Sequence, residues 1–256
     1  MLAMAMIAFA LATTGRIAVA GDLTLSAGLD YSTGKYGSAS ATDILYLPLI
    51  LKYESGASTF KATLPYLRVT SPTGGSIVTV DGNGQVIYSG IGPRTTQEGL
   101  GDLMFTYGYS LYEQPRNGFL VDLLGKFKLA TADDGKGLGS GKNDISAQVD
   151  IYYMAGAHSP FMTLGYRVPG DPPGIDLRAV WYGTLGVGYK LSDLTSAGIM
   201  WDLRQASRNG GKSSNEMTLY GVRKLRSDIK LQVYLVHGFS DASADHGLGV
   251  MISKSY

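Results

Sequence analysis

From Leu23 onward the chain alternates apolar and polar residues with a period of two, in segments of about ten residues broken by Gly, Asn, Asp, Ser and Pro. In one segment Leu177, Ala179, Trp181, Leu185, Val187 and Tyr189 share a side, and Arg178, Val180, Tyr182, Thr184 and Lys190 share the other. Successive side chains of a strand point to opposite faces, so one face suits lipid and the other tolerates water. The same phase recurs at Ile145, Ala147, Val149, Ile151 and Tyr153 against Asp144, Ser146, Gln148, Asp150 and Tyr152. It recurs again at Ile229, Leu231, Val233 and Leu235 against Lys230, Gln232 and Tyr234. A soluble sandwich also alternates, so the spacing of the breaks has to discriminate.

Strands are expected at 22–31, 42–53, 58–70, 99–112, 118–131, 142–154, 159–168, 177–191, 194–205, 215–225, 228–239 and 246–256. Short turns at 54–57, 113–117, 155–158, 192–193 and 226–227 alternate with longer connections rich in Gly, Ser and Asp. Short periplasmic turns, long external loops and an even strand count are the rhythm of a bacterial outer-membrane barrel. The expected fold is therefore all-β: a transmembrane antiparallel up-and-down β-barrel of about twelve strands with both termini periplasmic. Hydrocarbon offers unpaired edge amides no partner, so the sheet must close. Leu248, Val250, Ile252 and Tyr256 share a face of the last segment, a terminal pattern resembling the assembly signal of such barrels. Lys254, on the same face, departs from the apolar pattern and is expected to snorkel to the periplasmic interface.

Residues 1–20 read as a cleaved signal peptide, with an apolar run from Leu2 to Ala12 and an A-x-A pattern at Ala18, Val19 and Ala20. Arg16 between run and cleavage site, and the lack of a basic residue before the run, depart from the usual signal. Residues 21–256 then form a single barrel domain. No apolar stretch after residue 20 reaches the roughly 20 residues of a transmembrane helix. The 256-residue chain has no cysteine, which removes disulfide frameworks and thiolate metal sites, and its net charge of +1 makes nucleic acid a poor partner. Seventeen tyrosines suit strands and the interfacial girdle, where an aromatic body meets a wet hydroxyl.

Glu98, Gly99, Leu100, Gly101, Asp102 and Leu103 open one segment; Leu129 to Asp133 and Gly137 to Asp144 follow after a strand pair. This pattern resembles the outer-membrane family labelled phenol meta-pathway degradation proteins, barrels regarded as transporters. Its specific part covers residues 98–153, and Ala130, Thr131, Ala132 and Asp133 stand where the family usually has a Pro-Thr-Gly-Asp turn. The resemblance implies uptake of small, partly apolar or aromatic molecules and transfers no catalytic residue.

By phase, the inward face carries Lys52, Lys61, Arg68, Lys126, Lys128, Arg167, Arg178, Lys190, Arg204 and Lys230. Asp102, Asp122, Asp144, Asp150, Asp202 and Glu216 are their expected partners. Rings of charge can set selectivity, here toward anions or amphiphiles; the plainer reading is a set of salt bridges that fills a narrow lumen. Tyr46, Met104, Tyr152, Phe161, Tyr182, Met200 and Tyr234 either guide apolar solutes or fill space. The longest connection, 71–98, carries Ile77, Val78, Val80, Val86, Ile87 and Tyr88 around Asp81, Gly82, Asn83 and Gly84, and is expected to form an external hairpin that gates entry.

Two lookalikes fail. Lys136 replaces the first glycine and Asn143 the Ser or Thr of a phosphate-binding loop, and Gly92 stands where a calcium loop needs its glutamate. A lipid-modifying hydrolase is the competing class, with His237 and Ser240, or Asp245 and His246, at the external rim; His158 falls in a short turn. No motif supports it, and a closed structural barrel is the third reading. The expectation is a non-enzymatic outer-membrane channel without cofactor, passing small hydrophobic or aromatic compounds. Its partners are outer-membrane lipid, the solute and the assembly machinery.

Overall fold

A computed structural model describes residues 21–73, 78–79, 85–86, 92–113 and 118–256. The signal-peptide reading on residues 1–20 lies outside the described residues, as do Ile77, Val80, Ile87 and Tyr88. The chain runs through β1 (Asp22–Gly34), β2 (Thr42–Ser55), β3 (Ser58–Pro72), β4 (Val78–Thr79), β5 (Gln85–Val86), β6 (Arg94–Leu100), β7 (Leu103–Glu113) and β8 (Phe119–Leu129). It continues with β9 (Asp144–Tyr153), β10 (His158–Val168), β11 (Val180–Lys190), β12 (Thr195–Arg204), β13 (Ser214–Lys224), β14 (Ile229–Gly238) and β15 (His246–Ser255).

Every neighbouring pair is antiparallel, and β1 pairs with β15 to close the sheet. Thirteen strands share that sheet, but β6 and β7 both pair along β3, one above the other, so they form one stave of a twelve-stave barrel. Leu100 pairs with Tyr66 and Met104 with Thr63, so three residues, Gly101 to Leu103, stand opposite two, Leu64 and Pro65. This is a β-bulge, the device that re-aims a side chain. The expected hairpin in the longest connection is present as β4 and β5, with Val78 opposite Val86.

The short turns 56–57, 154–157, 191–194 and 225–228 lie at the end that holds both termini of the barrel, the periplasmic end. Leu, Val, Ile and aromatic side chains face outward along every stave. The tyrosine excess sorts into two bands. Phe60 and Tyr107 pair at 4.9 Å and Phe119 and Tyr153 at 4.7 Å toward the periplasmic end, whereas Tyr166 and Trp181 pair at 4.9 Å toward the external end. These are the two interfacial girdles of a barrel in a bilayer. Lys254 lies on the outer face at the periplasmic end, with its ammonium 4.6 Å from the Tyr256 ring centre.

Candidate functional site in the barrel lumen

The alternation that suits one face to lipid places the charges inside, and strand register arranges them in rows. Lys52 lies opposite Lys61, Lys61 opposite Thr106, Thr106 opposite Lys126, Lys126 opposite Ser146 and Ser146 opposite Arg167. A second row links Asp122, Asp150, Thr163, Thr184, Asp202 and Glu216. On β8, Lys126 stands four residues, about 13 Å, toward the external end from Asp122. Two stripes of opposite sign therefore climb around the lumen together, because barrel strands are tilted.

The acids are held by hydroxyls and amides. Ser110 donates to Asp122 at 2.7 Å, Thr163 and Gln148 to Asp150 at 2.5 and 2.6 Å, and Thr184 to Asp202 at 2.5 Å. Lys52 pairs with Glu54 at 2.7 Å, and the Lys126 ammonium sits 5.5 Å from the Tyr182 ring centre.

Near the external end, residues 130–143 fold inward. The bulge turns Asp102 into the lumen, where it is 3% exposed and accepts the Lys128 ammonium at 2.5 Å through one oxygen. Its other oxygen accepts the backbone N–H groups of Thr131 and Ala132 at 3.1 and 3.0 Å. Lys128 also donates to Ser140 Oγ at 3.2 Å and to the Lys142 carbonyl at 3.0 Å, so all three of its donors are used. Asp144 accepts Arg167 at 2.6 Å and the Gly170 N–H at 3.0 Å. The loop is thereby tied at both ends to a buried ionic quartet. Gly139 fits because a Cβ there would stand 2.7 Å from Ala132 and 2.9 Å from Asp102.

What the loop delivers is Leu138, 1% exposed. It joins Ile44, Tyr46, Leu67, Val69, Met200, Tyr220, Val222, Tyr234, Val236 and Met251 in one buried apolar cluster of inward-facing residues. Two of the tyrosines facing the lumen are laid along the wall. Tyr234 crosses Gly249 on β15 and donates to Asp30 on β1 at 2.5 Å; Tyr182 crosses Gly165 on β10 and donates to Gln148 on β9 at 2.9 Å. A Cβ at either glycine would fall about 2 Å from the ring it underlies. Each ring is thus a strap across three strands, flat on the wall only because its middle strand carries glycine.

Above this girdle Tyr36, on the β1–β2 connection, has a positive φ of 48°. Burial, and next the nearby Glu216, push its phenol above the ordinary value.

Of the expected lumen residues, Lys52, Lys61, Asp122, Lys126, Asp150, Tyr152, Tyr182, Asp202, Arg204, Lys230 and Tyr234 face inward; Asp102 and Lys128 do so under the folded loop. Three do not line the lumen. Arg68 lies on the outer face, 58% exposed beside Glu98, because it stands seven residues from Lys61 and an unbroken strand puts odd separations on opposite faces. Arg178 precedes β11, which starts at Val180, and its guanidinium bonds the Ala206 carbonyl at 2.8 Å on the external side. Lys190 ends β11 at the periplasmic rim, 54% exposed, and pairs with Asp193 at 2.7 Å.

Among the expected gating residues, Val78 and Val86 lie in the β4–β5 hairpin. Among the described residues a loop that the sequence did not single out as a gate, 130–143, folds inward, and its signal was a lone leucine in the glycine-rich run from Gly137 to Gly141. It joins segments 98–103 and 129–144, the two that carry the family resemblance, in one place.

No protein-family model matches the chain, and no curated protein matches it. Solved structures do. An outer-membrane channel from Pseudomonas putida F1 superposes with a TM-score of 0.68 at 14% identity, over 96% of this chain and 98% of that one. The NanC porin gives 0.57 at 9% identity over 90% and 98%, and the KdgM porin 0.53 at 9% over 91% and 99%. At these identities the likeness is one of fold. The chain is a bacterial outer-membrane β-barrel with the fold of channels and porins.

Proposed function

We propose that the barrel is a passive outer-membrane channel for small hydrophobic or aromatic compounds, constricted by the loop 130–143. The observation that carries this reading is the apolar girdle around Leu138. A water-filled pore for sugars needs polar walls at its narrowest point, whereas eleven buried apolar or tyrosine side chains meet here. The charge stripes beside the girdle hold their acids in hydrogen bonds and leave an amphiphilic wall for a solute with a polar end. Similarity of sequence pattern to the phenol meta-pathway family supports the aromatic choice. The apolar residues that the sequence carries in the connection 71–98 suit a first contact for such a solute, and membrane lipid and the assembly machinery are the remaining partners in this reading.

The test is uptake into proteoliposomes of benzyl alcohol or toluene against a sugar of similar size. The expected result is entry of the aromatic well above empty vesicles, with sugar excluded, and faster entry in Leu138→Ala. Equal entry of aromatic and sugar, or no entry of either in both proteins, would overturn the reading.

A further inference from the structure

None of the three histidines of this chain lines the lumen or plays a part in the reading above, and two of them meet. His237 ends β14 at the external side, and His246 opens β15. They are register partners on adjacent antiparallel strands, and both side chains are exposed. Their rings stack, with centroids 5.1 Å apart and planes inclined by 26°, and the two Nδ1 atoms stand 3.3 Å apart. The backbone oxygen of Asp245 lies 3.0 Å from the same Nδ1 of His237. Phe239 meets the His237 ring edge-on with centroids at 4.8 Å, which holds its plane.

Hydrogen bonds satisfy these groups in the metal-free barrel, where the Asp245 carbonyl also accepts the Gly238 N–H at 3.4 Å, and the same three atoms stand at the spacing that a metal ion requires. Zn²⁺ binds imidazole nitrogen at about 2.0–2.1 Å, and a tetrahedral angle between two such bonds places the nitrogens about 3.3 Å apart. We infer that His237 Nδ1 and His246 Nδ1 form a two-histidine clamp for a divalent transition-metal ion, with the Asp245 carbonyl beside them as an oxygen donor. On binding, the ring that carries its proton on Nδ1 changes tautomer, its proton passing through water to its own Nε2, so that both rings ligate as neutral imidazoles through bare Nδ1 atoms. Water fills the remaining positions at this exposed rim.

The clamp sits at the base of the β14–β15 connection, which packs into the barrel mouth. Ser243 there is fully buried; it accepts the Asn215 N–H at 2.9 Å and donates to the Asn215 carbonyl at 3.0 Å. Joining the last residues of β14 to the first of β15 stiffens that connection. Ligand chemistry sets the choice of ion: nitrogen donors favour Cu²⁺, then Ni²⁺ and Zn²⁺, whereas Mg²⁺ and Ca²⁺ require more oxygen ligands than this site offers.

The experiment is calorimetric titration of tag-free, folded barrel in detergent with Cu²⁺, Ni²⁺, Zn²⁺ and Mg²⁺, with the thermal unfolding midpoint as a second readout. One Cu²⁺, Ni²⁺ or Zn²⁺ is expected to bind per chain and to raise the midpoint, with Mg²⁺ silent. His237→Ala and His246→Ala should each weaken binding at least tenfold. His158→Ala, altered at the periplasmic start of β10 beside Tyr189, should bind as the unaltered protein does. Retention of the heat-dependent gel shift of a folded barrel shows that each variant is intact. Failure of the unaltered protein to bind, or equal binding by all three variants, would overturn the clamp whatever the outcome of the uptake assay.

Discussion

The wall formed by β7 to β10 and the wall formed by β13 to β15 present the same surface to the membrane and different surfaces to the lumen. Outward, both show large apolar and aromatic side chains. Inward, the first carries Asp102, Lys126, Lys128, Asp144, Asp150 and Arg167, and the second carries Tyr220, Val222, Tyr234, Val236 and Met251. Lipid imposes one chemistry on every outer face, so outer faces say where a barrel sits and not what it does. Inner faces are free to differ. Here the charged wall holds a loop down, and the leucine that the loop presents belongs to the same buried cluster as the apolar wall.

The contrast can be broken most strongly at Lys128. Breaking a buried ion pair by removing one partner costs about 3–5 kcal/mol, and Lys128→Met strips Asp102, the Ser140 hydroxyl and the Lys142 carbonyl of their shared donor. Chemical unfolding should show a loss of that order, and single-channel recording a larger conductance as residues 130–143 leave the lumen. Unchanged conductance and stability would mean that the loop is held by something other than the quartet.

Leu138→Ala tests the apolar cluster that the loop joins. A buried leucine truncated to alanine costs about 2–5 kcal/mol, and the gap opens toward the lumen rather than closing into a sealed void. The expected loss lies at the low end of that range, measured by the same unfolding assay, with faster entry of benzyl alcohol. A slower entry would show that Leu138 guides the solute instead of obstructing it.

The tyrosine straps sharpen the comparison, since one lies on each wall. Tyr234 reaches a carboxyl on Asp30 and Tyr182 reaches an amide on Gln148. Hydrogen bonds to charged groups contribute about 1.5–3 kcal/mol and neutral ones about 0.5–1.5 kcal/mol. Tyr234→Phe should therefore destabilise the barrel more than Tyr182→Phe in paired denaturant titrations. The reverse order would place the more important strap on the charged wall.

The smallest effect is expected on the outer face. Arg68 and Glu98 are both more than half exposed at 3.7 Å, and exposed pairs contribute about 0–1 kcal/mol. Arg68→Ala should leave ion selectivity in planar bilayers as it is. A shift in reversal potential would return this residue to the conduction path.

Much of this fold was legible because a bilayer leaves few options. Period-two alternation read with its phase placed Tyr182, Asp150 and Lys126 correctly, since a strand that faces lipid on one side has no freedom in the other. The same rule, carried through, excludes Arg68 from the lumen: Lys61 and Arg68 cannot share a face of one unbroken strand. Arg178 was misplaced because the phase breaks before β11: Leu177 bridges Arg208 with its side chain buried, the regular ladder starts at Val180, and apolar spacing does not register such a break. The loop 130–143, which enters the lumen, escaped notice because it is short of apolar residues and rich in glycine. Its insertion depends on where Asp102, Lys128 and Asp144 meet, which is a property of three strands in register.

By itself, then, the amino-acid sequence determined a closed twelve-stave barrel, its orientation and the side of each stave that lipid touches, because hydrocarbon penalises every unpaired amide and every misplaced charge. Only the tertiary structure decided what fills the inside. A one-residue bulge at Gly101 to Leu103 aims Asp102, two glycines let Tyr182 and Tyr234 lie flat, and the β14–β15 register sets two imidazoles side by side. Each of these results from pairing between strands, and interstrand register has no signature in local sequence.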